Sequence, residues 1–492
     1  MVRVRVLLAA VVVVAVAGMV LAPVSAAPGE QPGYRRLVEL ESSRTFSDEL
    51  AAALASGDAR VAGRAALALG RTEDARAAGP LKNATTARDV SLRALSVYGY
   101  GLLAAHTPLE TKLVAEKLRD RAEIVRIAAV DAAWRSQAAK NPGARSLSTL
   151  LIGLLDNDPD VFVRARCATA LSGWRDDPAP AVIAARIERA LARENDPNVR
   201  WHEAWTLRRA FAGAVTAATI RRGLADRDEL VRIQFADLVG RRKSIGGIAQ
   251  LQPLLKDASW RVREQAYESI KVLAGLSRTD HLGAIPAEIA TPAPSPRNTE
   301  APLPRPAALG KPGKPVAADA RLDLALQPRT AAQMGGPMPG PHPRVRIGTT
   351  KGTIVVRLYP EWAPLTVANF LNLADRGYYD NLRWFRVVPD FVAQTGDPND
   401  DGEGDAGYTI PAEENPLEQR AGVISMGLNY TDGANPGPIR DSAGTQFYIT
   451  MSPQLHLNRD FTVFGEIESG FDTLGRLTEL DRMMKVERLA DD

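Results

Sequence analysis

Asp397, Asp400, Asp401, Glu403 and Asp405 crowd several carboxylates into one short stretch, the donor type that a hard cation prefers. They lack the twelve-residue order of a calcium loop and its terminal bidentate Glu, so calcium chemistry is not expected there. The 5 histidines are scattered with no pair at i and i+4, which leaves no zinc constellation. Cys167 is the only cysteine. It lies in an apolar helical stretch, Ala165 to Leu171, where a thiol serves as a small buried hydrophobe rather than a nucleophile. Gly335-Gly336 and Gly402-x-Gly404 do not follow a strand and open a helix in the dinucleotide-binding manner. No metal and no cofactor are therefore expected. A formal net charge of +3, from 61 basic and 58 acidic residues, gives little support for nucleic-acid binding.

The elements around these residues fall into zones. A chain of 492 residues with 45% hydrophobic residues is long enough for at least two cores. Residues 1–26 open with Arg3 and Arg5, continue through an apolar run from Val6 to Leu21 and reach the small residues Val24, Ser25 and Ala26. That is the order of a secretory signal peptide. The apolar run is short for a bilayer core, so we expect an exported protein (periplasmic, cell-surface or extracellular) with no stable membrane insertion. With one cysteine no intramolecular disulfide can form, and folding rests on packing.

Across residues 37–280 a pattern recurs: Asp, then Val-Arg, then alanines and a Leu on one helical face. Its clearest copies run from Asp160 to Leu171, Asp196 to Leu207, Asp228 to Leu238 and Asp257 to Ile270. The arginines at 126, 164, 200, 232 and 263 recur at intervals of about 31 to 38 residues, which is repeat spacing. The pattern resembles HEAT or PBS-type HEAT-like repeats. That resemblance implies a solenoid in which Asp196, Arg200 and their equivalents join neighbouring repeats, and an elongated surface for a protein partner. Residues 281–343 are rich in proline, as in Thr291 to Pro296 and Ala301 to Pro306, and read as a semi-extended linker with a short element expected at Asp319 to Gln327.

In residues 344–489 short alternating segments dominate. Arg344 to Ile347 and Thr353 to Leu358 flank Lys351-Gly352 as a hairpin, and an amphipathic helix follows Pro360 through Val367, Phe370, Leu371 and Leu373. Further strands are expected at Arg383 to Val388, Phe391 to Thr395, Val423 to Met426, Gln446 to Thr450 and Thr462 to Ile467. Short, evenly spaced strands with one or two helices suggest a compact closed barrel with helical caps.

Tyr359 to Phe370, Tyr378-Tyr379 with Phe385 to Asp397, Gly422 to Met426, Gly444 to Thr450 and Phe461 to Gly465 stand in the order of the cyclophilin-type peptidyl-prolyl isomerase motifs, and the segment resembles that family. The fold class expected is multidomain: an all-α HEAT-like solenoid followed by a cyclophilin-like closed β-barrel with capping helices. The resemblance implies that Arg386 is the essential arginine and that Gln394 holds the substrate backbone beside it. Phe391, Met426, Gly427, Gln446, Tyr448, Leu457 and Phe461 are implied as substrate-binding positions. Tyr448 stands where a phenylalanine is usual, Phe461 where many members carry a histidine, and Leu428 replaces a common asparagine. The loop from Asn429 to Asp441 is expected to shape the rim of the groove.

The implied reaction is rotation about X-Pro bonds of proline-containing polypeptides, in the service of protein folding. No bond breaks, so neither nucleophile nor general base is needed. The alternative left open is a non-catalytic X-Pro-binding scaffold that uses the solenoid as its main interaction surface.

Overall fold

A computed structural model describes residues 32–244, 246–276, 342–431 and 437–489. The expected export signal, the element at Asp319 to Gln327 and all but the last two residues of the linker lie outside the described residues. The chain divides into two compact units: one joins residues up to Gly99 with the C-terminal body, and the other begins at Tyr100.

The second unit is helical. Helices Glu123–Ala138, Val161–Ala170, Pro197–Ala210, Glu229–Arg241 and Trp260–Leu273 pack each against the next. Three of the recurring aspartates are N-caps: Asp160 accepts from the amides of Phe162 and Val163, Asp196 from Asn198 and Val199, and Asp228 from Leu230 and Val231, whereas Asp257 lies two residues before the N-cap Ser259. The recurring arginines make the longer link. Arg126 donates to both oxygens of Asp158 at 2.7 and 2.8 Å, Arg164 to Glu194, Arg200 to Asp226, and Arg232 to both oxygens of Asp257 at 2.8 Å. Asp196 and Arg200 thus have separate tasks, one ending a turn and the other reaching the next. Cys167 is buried, and that burial pushes its thiol well above the usual range. No helix among the described residues is long and apolar enough to cross a membrane.

In the first unit an eight-stranded antiparallel sheet follows the order β3-β4-β6-β5-β7-β2-β1-β8. Its strands are β1 Arg344–Thr349, β2 Gly352–Leu358, β3 Arg386–Val388, β4 Val392–Thr395, β5 Val423–Met426, β6 Phe447–Thr450, β7 Val463–Ser469 and β8 Met483–Arg488. The β1–β2 hairpin forms as expected, with Thr349 opposite Gly352. Gly352 has φ 133°, which a side chain would resist, and an added Cβ would lie 2.8 Å from the Thr473 hydroxyl.

The closed barrel does not form. The sheet is an open, curled half-barrel whose edges stand 13 Å apart. Closure requires two edge strands long enough to pair at matched stagger. Here one edge, β3, is only 3 residues long, and the chain before it meets the chain before β8 through the bridge Arg383–Arg482 and single bonds such as that from the Trp384 amide to the Asp481 carbonyl, with β3 itself not paired to β8.

The curled sheet wraps one apolar core. Helix Pro364–Asp375 lays Val367, Phe370, Leu371 and Leu373 into it, with proline at its start where no amide is needed. Buried Glu413 accepts from the free amides of Leu365 and Thr366 at that helix start, at 3.0 and 2.8 Å. Phe370, Tyr379 and Phe447 pack ring against ring with centroids 5.2 to 5.4 Å apart.

Candidate active site

Cross-strand register assembles the site. Arg386 on β3 faces Gln394 on β4, Gln394 faces Tyr448 on β6, and Tyr448 faces Ser425 on β5. Residues directly opposite share one face of a sheet. That row therefore runs along the outer surface, away from the Phe370 core.

Beside the row is an apolar groove. Val392, Tyr448, Leu457 and Phe461 form one buried cluster, with Phe391 and Leu428 packed against it. Tyr448 meets Phe461 edge to face at 5.8 Å, and Phe391 stacks on the His456 ring at 5.7 Å. Burial pushes the Tyr448 phenol well above its ordinary range, so the ring stays neutral.

The guanidinium of Arg386 lies exposed at the groove's lip, 5.2 Å from the centre of the Phe391 ring. A chain of amides fixes its neighbours. Gln446 Nε2 donates to the carbonyls of Gly402 and Gly404 at 2.8 and 3.1 Å, which turns its Oε1 toward Gln394. Gln394 Nε2 donates to that oxygen at 3.1 Å, and Gln394 Oε1 in turn accepts from Arg386 Nη1 at 3.3 Å. Loop carbonyls thereby dictate which end of each amide faces the arginine.

The acidic stretch supports this chain. Buried Asp397 accepts from the amides of Asn399, Asp401 and Gly402, fixing the carbonyls that Gln446 reads. Asp401 and Asp405 each accept a nearby amide, and Asp400 lies 3.6 Å from Arg383.

Gly427 borders the row. A Cβ there would lie 3.2 Å from Gln446 Cβ and 3.4 Å from Gln394 Nε2, so a side chain would crowd the amides. Met426 is the implied position that does not join the groove. Ser425 already faces Tyr448, so strand alternation sends Met426 to the opposite side, into the interior core beside Phe447. Val392 takes part in the groove although motif reading passed over it. It stands two residues before Gln394 on β4, and that period of two is the signal that marks it.

An apolar groove with an exposed guanidinium and two oriented amides at its lip is an arrangement suited to chemistry that needs no nucleophile. The comparisons agree with this class. The sequence family described as cyclophilin type peptidyl-prolyl cis-trans isomerase/CLD matches residues 344–491. Peptidyl-prolyl cis-trans isomerase B of Bacillus subtilis is 44% identical over 135 residues, covering 27% of this chain and 88% of its own. A peptidyl-prolyl cis-trans isomerase of Synechococcus elongatus is 39% identical over 145 residues, covering 29% and 94%. A crystal structure of a Cryptosporidium parvum cyclophilin type isomerase is 26% identical and covers 31% of this chain and 99% of its own, at a TM-score of 0.28.

The chain belongs to the cyclophilin-type peptidyl-prolyl cis-trans isomerase family. It catalyses cis/trans isomerisation at X-Pro bonds.

Proposed function

We propose that Arg386 is the residue that lowers the rotation barrier and that the groove of Phe391, Val392, Tyr448, Leu457 and Phe461 holds the proline ring while the preceding residue turns. Amide resonance sets that barrier at roughly 18–20 kcal/mol. As the bond twists, the prolyl nitrogen regains its lone pair and becomes an acceptor. A guanidinium aimed at it stabilises the twisted state more than the planar one. Arginine suits the task because its charge persists at any working pH and its donors have fixed directions. Gln394, oriented through Gln446, holds the carbonyl before the proline. The observation that carries this reading is the Arg386 guanidinium over Phe391 and bonded to Gln394 at the open end of an apolar groove.

The test is a protease-coupled assay on an X-Pro peptide. Arg386→Ala is expected to lose on the order of 10²–10³-fold in kcat/KM, and Arg386→Lys to recover only part of it. Equal rates for wild type and Arg386→Ala would defeat the assignment.

The rest of the reading concerns where and on what the isomerase acts. Repeated Asp caps and inter-helix Arg–acid links support a HEAT-like solenoid for the helical region, offering its long surface to a protein partner whose prolines the isomerase turns. The leader-like residues 1–26 support action outside the cytoplasm on folding polypeptides. Fractionation of cells producing the full chain, with residues 2–26 present or deleted, tests the location.

A further inference from the structure

Helices Pro32–Ser42 and Ala59–Arg71 belong to the same compact unit as the isomerase body and meet it through buried arginines. Arg71 is fully buried. Its Nε donates to the Glu414 carbonyl at 2.9 Å, its Nη2 to the Trp362 carbonyl at 2.9 Å, and its Nη1 pairs with buried Glu41. Arg44 donates from Nη1 to the Arg71 carbonyl at 2.7 Å and from Nη2 to the Ala412 carbonyl at 2.6 Å and to Asp441 Oδ1 at 2.8 Å. Asp441 Oδ1 also accepts from the Ala412 amide at 2.6 Å. Next to it, Arg440 pairs with Glu73 and, at 3.2 Å, with Glu414. Arg44, Glu73 and Asp441 all hold left-handed backbone, with φ of 55°, 62° and 62°, a conformation that non-glycine residues keep only where their surroundings enforce it.

This clamp grips the base of the segment that borders the groove. Ser442 Oγ accepts from the Asn429 amide at 2.9 Å and donates to the Ile439 carbonyl at 2.6 Å, and the Ile439 amide donates to the Asn429 carbonyl at 2.7 Å. Tyr430 bridges to Pro438 and stands half exposed, its ring 6.5 Å from Phe461 of the groove. Among the described residues, the two sides of this segment, 429–431 and 437–442, are thus bonded to each other.

We propose that the N-terminal helices are a positioning part of the isomerase: Arg44 and Glu73, acting through Asp441 and Arg440, place Tyr430 at the mouth of the groove and so set how tightly an X-Pro peptide is held. The inference rests on the groove being the X-Pro site. Arg44 and Glu73 are positioning residues, since neither touches the groove. They act on binding and leave the rotation step to Arg386.

A double-mutant cycle on the full chain tests this, using an Ala-Ala-Pro-Phe peptide with Kd from NMR titration and kcat from exchange rates. Arg44→Ala and Tyr430→Ala should each weaken Kd about fivefold with kcat within about twofold, and the double variant should be no weaker than Tyr430→Ala alone. If Arg44→Ala loses its cooperative thermal transition, Glu73→Gln takes its place in the same cycle. Unchanged Kd in the folded single variant, or effects that multiply in the double variant, overturns the proposal. A wild-type chain that binds the peptide without turning it over defeats the catalytic reading alone, because the clamp is read in Kd.

Discussion

Tyr448 shows how one residue separates binding shape from chemistry. Its ring fills the groove, while its buried hydroxyl bonds to the Ser425 and Gln419 side chains. A buried hydroxyl that keeps its partners supports the fold modestly and adds nothing to a pocket for an apolar ring. Tyr448→Phe should therefore lower stability by about 1 kcal/mol in denaturant unfolding while keeping turnover within about twofold. An inactive variant would show that the hydroxyl acts in catalysis. Arg386, Gln394 and Gln446 were legible in the sequence because their neighbours form an ordered motif. Met426 was placed wrongly because the motif shows position along the chain but not facing. The facing follows from the parity of β5, once Ser425 is known to oppose Tyr448. Val392 was legible by the same parity rule, as the residue two before Gln394.

Elements expose a different balance of forces. In helix Pro197–Ala210 both oxygens of Glu203 are buried with no hydrogen-bond partner among the described residues. Burial holds its carboxyl well above the usual range, with Glu194 adding to the shift. A group whose folded value is raised binds its proton more tightly when folded, so its contribution falls as pH rises from the unfolded value near 4.5 toward the higher folded one. Glu203→Gln should raise thermal stability at neutral pH, by roughly 1–3 kcal/mol, and by less in acid. An equal change at both pH values would contradict the assignment. The missed strand β8 has a similar lesson. Among Met483–Arg488 only Met483 and Val486 are buried, a spacing of three that does not read as strand. The strand exists because β1 offers an unpaired edge, which is a tertiary fact. Closure of the sheet was illegible for the same reason, since even strand spacing says nothing of whether two edges meet.

At the scale of the whole molecule, the N-terminal helices and the isomerase body share a buried ion cluster. Burial alone would raise Glu41, but Arg64 and Arg71 outweigh it and hold the carboxyl below the ordinary range. A depressed folded value gives stability that is present above the unfolded value of 4.5 and lost as pH falls through the folded one. Arg71→Met leaves Glu41 with one cation and the Trp362 and Glu414 carbonyls without their donor. It should cost about 3–5 kcal/mol and move the acid unfolding midpoint to higher pH, as followed by circular dichroism. An unchanged midpoint would show that the cluster does not join the helices to the body. None of this docking was legible in the sequence. Arg44 and Arg71 bind main-chain carbonyls, which every residue carries, so no side-chain pattern marks their partners.

The central claim is that Arg386 accelerates rotation in a groove that binds proline without it. NMR exchange spectroscopy on a saturating X-Pro peptide measures cis/trans exchange on the enzyme directly, apart from affinity. We predict that Arg386→Ala still binds the peptide, within about tenfold of wild-type Kd, while the exchange rate falls on the order of 10²-fold or more. Exchange at the wild-type rate in a folded, peptide-bound Arg386→Ala protein would contradict the account.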